Sequence, residues 1–123
     1  MTALLSLEDL LTLIEDLGVG PVRDLGLLDS AAHRPGSVLY GHEAYPDLDL
    51  KAAALLDSVV GNHALVDGNK RLGWLAVVVF YGLNDVDLDA PDDSAYELVM
   101  AVARRELSVE AIAMTLARWH RGR

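Results

Sequence analysis

The sequence contains no cysteine, which excludes a disulfide framework and a thiolate metal site. It has no apolar stretch long enough to span a bilayer, because the longest run, residues 72–80, is short and interrupted by Gly73. No basic leader stands at the N-terminus, which begins Met-Thr-Ala-Leu-Leu. These absences predict a soluble, cytoplasmic protein that does not enter a membrane.

Positive charge is scarce, with 10 Lys and Arg residues against 19 Asp and Glu residues and a formal net charge of −9. Such a field repels polyanions, so general binding to nucleic acid or to acidic membranes is not expected. Partners with basic surfaces are favoured instead. The 123 residues, 52% hydrophobic and 24% charged, fit one globular domain spanning residues 1–123.

The chain has no internal repeat or long linker, and its apolar spacing is helical almost throughout. Residues 36–46 are predicted to be an irregular connection, and Val86 and Leu88 a short extended piece or small hairpin. We therefore expect a compact all-α bundle with the third and fourth helices at its centre. Periodicity and cap residues predict six helices. The first begins after the Ser6 cap, with Asp9 completing a capping box, and stops at Gly18. The others run from Leu25 to His33, from the Asp47 cap to about Asn62, from the Asn69 cap to about Leu83, from Pro91 and Asp92 to about Arg105, and onward from the Ser108 cap.

The most informative segment joins the third and fourth predicted helices and reads His-Ala-Leu-Val-Asp-Gly-Asn-Lys-Arg, from His63 to Arg71. A helix N-terminus already carries about +0.5 of a charge, so cations are ordinarily disfavoured there. Lys70 and Arg71 in that first turn therefore predict an anion site. Gly68 permits a positive φ, which lets backbone amides approach a bound phosphate. Asn69 is expected to act as the helix cap, as a phosphate donor, or as both.

Two residues upstream add further chemistry. Asp67 is a hard oxygen ligand, suited to a magnesium ion shared with a nucleotide. His63 can take a proton from an attacking hydroxyl near neutral pH. Each residue also has an ordinary structural explanation, as a helix-end histidine, a turn, or a solvated pair of cations. The residues alone leave a phosphate site and a structural turn both open.

Other nucleotide and metal motifs are absent from the sequence. The phosphate-binding pattern Gly-x-x-x-x-Gly-Lys-Ser/Thr does not occur, and no histidine stands three residues after Glu43 to complete a zinc-protease motif. The four histidines, at positions 33, 42, 63 and 120, lack helical metal-ligand spacing. The loop before the fourth helix is therefore the principal candidate site.

The pattern His-x-x-x-Asp-Gly-Asn-Lys-Arg resembles the signature of the Fic/Doc proteins, and in particular the death-on-curing (Doc) branch of toxin–antitoxin systems. The resemblance implies an all-helical, six-helix fold with a nucleotide site at the junction between the loop and the fourth helix. It covers nearly the whole chain and includes similar residues at Arg23–Ser30, Arg34-Pro35, Tyr45–Leu48, Lys51–Ala53 and Asp89–Pro91.

The resemblance also implies an activity. Doc-type toxins carry lysine where this chain has Lys70 and transfer the γ-phosphate of ATP to a threonine of elongation factor Tu, which halts translation. Fic enzymes typically carry glycine there and transfer AMP, which remains the alternative. By this resemblance His63 activates the target hydroxyl, Asp67 holds magnesium, and Asn69, Lys70 and Arg71 bind the triphosphate. The expected regulator is a small antitoxin whose C-terminal segment folds onto an exposed groove.

Two positions depart from the family's usual pattern. Leu65 stands where the family usually has phenylalanine, and Leu72 where threonine is common. Leucine at position 65 is expected to keep the loop anchored in the core with less buried area. Lower activity is one expected consequence, and a catalytically decayed binding module is a further interpretation.

Overall fold

All six predicted helices are present in the computed structural model, which describes residues 1–121. The residues described also form two short antiparallel strand pairs and one turn of 3₁₀ helix, and none of their helices is long and apolar enough to cross a membrane. The elements are α1 (Leu7–Leu17), α2 (Leu25–His33), the 3₁₀ turn (Arg34–Gly36), β1 (Val38–Leu39), β2 (His42–Glu43), α3 (Leu48–Asn62), α4 (Asn69–Leu83), β3 (Asp87–Leu88), α5 (Asp92–Ala103), α6 (Val109–Ala117) and β4 (His120–Arg121).

Three of the predicted cap residues, Ser6, Asp47 and Ser108, set where their helices begin. At α1, the Ser6 hydroxyl accepts from the Asp9 N–H at 3.1 Å, and the Asp9 carboxylate accepts from the Ser6 N–H at 2.9 Å. Asp47 and Ser108 cap α3 and α6 through their side chains in the same way. The fifth helix ends at Ala103, earlier than predicted, because Arg105 has a φ of 61° that an α-helix cannot contain.

Helices α3 and α4 form the centre of the molecule, as predicted. Nine of the fifteen residues of α3 are buried, and this helix contacts α2, α4, α5 and α6. The two central helices approach each other closely at Gly73. A Cβ atom at this position would lie 2.7 Å from Cγ2 of Val60 and 3.2 Å from Cδ1 of Leu56.

The expectation of an irregular connection over residues 36–46 is wrong in part. Strands β1 and β2 form a small hairpin there, which turns through Tyr40 and Gly41 with φ of 51° and 78°. Buried Lys51 of α3 ties this hairpin down by donating to the Glu43 carboxylate at 2.8 Å and to the Tyr45 carbonyl oxygen. Strands of two residues are too short to show an alternating pattern in the sequence.

The extended piece around Val86 and Leu88 is confirmed, but it does not form a local hairpin. Strand β3 pairs instead with β4 near the C-terminus, with Asp87 opposite Arg121 and Leu88 opposite His120. The His120 ring also contacts the Asp49 carboxylate at 2.7 Å, and the buried Tyr81 hydroxyl donates to the same carboxylate oxygen at 2.6 Å. These contacts fasten the C-terminal strand to both central helices.

Candidate functional site

The loop between α3 and α4, residues 63–68, begins where His63 adopts a left-handed conformation with φ 53° and ψ 45°. This conformation ends α3. The carbonyl oxygen of His63 accepts a hydrogen bond from the Arg23 guanidinium group. Leu65 is only 1% exposed, so leucine does anchor the loop in the core.

The connection between α1 and α2 runs antiparallel to this loop, and we call its residues 19–24 the brace. The two segments form an isolated β-bridge between Val22 and Leu65. The sequence predicted only the end of α1 here, so the brace is a feature that sequence reasoning missed. Its backbone bonds run from the Gly20 N–H to the Asp67 carbonyl oxygen at 3.0 Å, from the Val66 N–H to the Pro21 carbonyl oxygen at 2.9 Å, and from the Arg23 and Asp24 N–H groups to the Ala64 carbonyl oxygen at 2.7 and 3.1 Å.

Helix α4 starts differently from the prediction. The expectation that Asn69 caps this helix is wrong, because Gly68 occupies the cap position with φ 96° and Asn69 is the first helical residue. The Asn69 side chain instead accepts from the Leu65 N–H and donates to the Leu65 carbonyl oxygen, both at 3.0 Å, which closes the loop. Its role as a phosphate donor stays a prediction.

The start of α4 is suited to an anion for a simple reason. Gly68 has no side-chain oxygen, and α4 begins without a side-chain cap. Its first N–H groups, which have no acceptor within the helix, therefore remain for solvent or a bound anion. Lys70 and Arg71 are exposed in this same turn and add full positive charge.

One surface cavity of about 310 Å³ brings the predicted residues together. Val60 of α3 and Ala103 of α5 supply apolar wall, as does Val66 of the loop. Sequence reasoning missed these three, since nothing in the residue types shows that the end of α5 reaches the loop. The predicted residues that line the cavity are His63, Asp67, Gly68, Asn69, Lys70 and Arg71.

The charged groups of the cavity are only loosely held. Asp67 and Arg71 approach each other at 3.7 Å, but their side chains are 83% and 62% exposed. An exposed pair at this distance contributes little free energy, so both groups can turn toward a ligand. His63 is also exposed and lines the same cavity.

A magnesium ion fits this site only as one shared with a bound nucleotide. Among residues 1–121, no group of three or more His, Asp or Glu side chains is placed to hold a metal ion. Asp67 alone supplies a hard, accessible oxygen beside the anion site. Mg²⁺ is commonly held in this way, by one or two carboxylates together with phosphate oxygens and water.

Two comparisons found proteins similar to this chain. The model of the Fic/DOC family matches residues 2–81, a range that includes the loop and almost all of α4. The chain is also 49% identical over 121 residues to a protein named "Toxin Doc" from Mycolicibacterium smegmatis. That match covers 95% of this chain and 93% of the relative, so the likeness extends over both proteins nearly end to end.

Proposed function

Because the chain belongs to the Fic/DOC family, we propose that it is a toxin of a toxin–antitoxin system that phosphorylates a translation factor. It would transfer the γ-phosphate of ATP to a hydroxyl of a protein of the elongation factor Tu type and so inhibit translation. The observation that carries the proposal is that His63 lines the same cavity as Lys70 and Arg71, at the start of α4. The name of the relative from Mycolicibacterium smegmatis supports the toxin assignment.

Binding of the triphosphate follows from the charges at the start of α4. The first N–H groups of the helix donate to phosphate oxygens, Lys70 adds a point charge, and Arg71 offers a planar fork for two oxygens. Asp67 would share Mg²⁺ with the phosphates, and the bound ion would offset part of their negative charge. Phosphoryl transfer needs mainly positioning and charge stabilisation from the protein, so this small set of groups is sufficient.

His63 would act as the general base. As the target hydroxyl oxygen forms a bond to the γ-phosphorus, the imidazole accepts the hydroxyl proton. The bond between the γ-phosphorus and the oxygen bridging it to the β-phosphorus breaks, and ADP leaves. The Arg23 guanidinium holds the His63 carbonyl group, which fixes the backbone from which the imidazole projects.

The type of group transferred can be tested with two preparations of ATP, one labelled at the α-phosphate and the other at the γ-phosphate. Each is incubated with the protein and a bacterial lysate. We expect label from the γ position on a translation factor and none from the α position. Label transferred from the α position alone would refute the proposed kinase activity and favour the alternative, an AMP transferase.

Titration calorimetry with magnesium and ATP separates an enzyme from a decayed binding module. The structure supports an intact loop, because Leu65 is buried and the Asn69 side chain bonds to its backbone. We therefore expect measurable ATP binding. No detectable heat of binding at millimolar ATP would favour a Fic-fold module that no longer binds nucleotide.

We further propose that a cognate antitoxin regulates the protein. The relative's name implies a toxin, and toxins of this kind are paired with an antitoxin. The net charge of −9 favours an antitoxin whose binding segment is basic. Growth inhibition on expression of this protein alone, relieved by the gene product encoded beside it, is the expected result.

A further inference from the structure

His63 lies between two residues that are both bonded to the segment leading into α2. On its N-terminal side, the Asn62 side chain donates to the Leu27 carbonyl oxygen at 3.2 Å. On its C-terminal side, the Ala64 carbonyl oxygen accepts from two N–H groups of the brace at 2.7 and 3.1 Å. The His63 carbonyl oxygen itself accepts from the guanidinium group of Arg23, which is 40 positions away in the chain. Three consecutive residues are therefore held by one distant segment.

We propose that Arg23 is a positioning residue that aims the imidazole of His63 at the cavity. The inference rests on the proposed function, in which His63 accepts the proton of the target hydroxyl. Arg23 does not line the cavity described above, so it acts through the backbone of His63 and not on the bound phosphates. The alignment of the base then depends on a side chain that the loop itself does not supply.

The hydrogen bond from Arg23 acts on a backbone conformation that needs support. His63 has φ 53° and ψ 45°, a left-handed conformation that is uncommon outside glycine. In an extended conformation His63 would turn its carbonyl group away from Arg23, because the direction of a carbonyl group follows ψ. The next peptide unit cannot compensate, since the brace holds its carbonyl oxygen. With both peptide units fixed, only the side-chain torsions of His63 remain free.

The Arg23 side chain is well placed to hold this carbonyl group. Arg23 is exposed, and the described bond of its guanidinium group is to the His63 carbonyl oxygen. A charged donor makes a stronger hydrogen bond than a neutral donor does. The backbone of Arg23 is fixed as well, because its N–H bonds to Ala64 and the neighbouring Asp24 caps α2 with its side chain. The guanidinium group therefore projects from a fixed point.

The other half of the loop, residues 65–68, is held by different bonds. The brace bonds to this half through backbone groups of Gly20 and Pro21. The Asn69 side chain closes it from within the loop. Loss of the Arg23 side chain leaves all of these bonds in place, because other groups make them. The phosphate-binding groups at the start of α4 should therefore keep their geometry while the base loses its alignment.

Steady-state kinetics of phosphate transfer to a purified protein of the elongation factor Tu type test this separation. We expect Arg23→Gln to lower kcat at least about tenfold and to leave the KM for ATP unchanged, because a misaligned base slows the chemical step. Arg23→Lys should retain more activity than Arg23→Gln, since an ammonium group still donates to a carbonyl oxygen. Arg118→Gln is the matched control, because it removes one exposed positive charge at the end of α6 and should alter neither constant.

The kinetic outcomes separate this inference from the proposed function. A higher KM for ATP with kcat unchanged in Arg23→Gln would overturn the positioning role and leave the proposed function standing. An equal fall in kcat for Arg118→Gln would do the same, because the effect would then follow the charge of the protein and not the contact. No transfer by the wild-type protein would overturn the proposed function, and the position of the imidazole is then tested without activity.

NMR of the histidine rings supplies that test. The ring signal of His63, identified by its loss in His63→Asn, should shift or broaden in Arg23→Gln and stay in place in Arg118→Gln. The ring signal of His120 should be the same in all of these proteins, because this ring packs against Tyr81 away from the loop; it reports that the variants are folded. An unchanged His63 signal in Arg23→Gln would refute the inference whether or not the protein transfers phosphate.

Discussion

Replacing Gly68 by alanine would test whether the brace sets the shape of the site loop. Gly68 has a φ of 96°, and a Cβ atom there would lie 2.4 Å from Cβ of Val19 in the brace. The Val19 atom is attached directly to the backbone, so it cannot move aside by rotation of a side chain. Either the loop or the brace must shift.

Two contributions make up the expected loss of stability. Left-handed backbone costs about 1–2 kcal/mol for alanine relative to glycine. Overpacking against Val19 adds about 1–3 kcal/mol. The free energy of unfolding should therefore fall by about 2–5 kcal/mol, which most domains of this size survive.

The chain offers a matched control at Gly18. This residue has a φ of 69°, but a Cβ atom there would meet nothing within 4 Å. Gly18→Ala should therefore lose only the backbone contribution, about 1–2 kcal/mol. Urea denaturation of both variants isolates the contact with Val19 as the difference between them.

Hydrogen exchange shows where the strain is relieved. In Gly68→Ala, the N–H groups of Gly20 and Val66, which bond across the brace and loop, should exchange faster than in Gly18→Ala. ATP binding should weaken in the same variant. Equal losses of stability in both variants, with the exchange of these two amides unchanged, would refute the conclusion that the brace fixes the loop.

Three further substitutions have defined outcomes. His63→Asn should reduce phosphate transfer by about 10²–10⁴-fold. Stability should change little, because residue 63 is exposed and asparagine accepts its φ of 53°. Transfer at the wild-type rate would exclude His63 as the base. Tyr81→Phe should lower the free energy of unfolding by about 1–2 kcal/mol at pH 7, since its hydroxyl bonds to Asp49. Burial, followed by that bond, raises the pKa of Tyr81. The stabilisation is therefore present below about pH 10 and falls at higher pH, because the phenol ionises first in the unfolded protein. A difference in the free energy of unfolding between wild type and Tyr81→Phe that stays constant up to about pH 11 would contradict this. Gly73→Ala should lower the free energy of unfolding by about 1–3 kcal/mol, because its Cβ would press on Val60 and Leu56 and the better helix propensity of alanine offsets only part of that cost. An increase in the urea midpoint would instead show that α3 and α4 move apart to accept the Cβ without loss of stability.

The helices are predictable from the sequence because their signals are local. Ser6, Asp47 and Ser108 each stand at the start of an apolar stripe and bond to an N–H three residues ahead. The site is predictable for the same reason. Its six residues fall within nine positions of one loop and helix start, so the short chain segment itself brings them together.

The missed features depend on residues far apart in the chain. Gly20 and Asp67 pair through backbone atoms, so the residue types give no sign of the pairing. In the sequence, Gly20-Pro21 indicates only that a helix stops. The pairing of β3 with β4 and the wall formed by Ala103 are long-range in the same way. The Asn69 amide could equally well have capped its own helix, and the choice depends on the conformation of Gly68.

The burial of Lys51 has a practical consequence for chemical biology. The chain has two lysines, and the amine of Lys51 is sequestered by Glu43 and the Tyr45 carbonyl group while Lys70 is exposed. Apart from the N-terminal amine, an acylating reagent applied to the folded protein would therefore react at one position. A fluorophore or affinity tag could be installed at the mouth of the cavity in wild-type material, without engineering a cysteine.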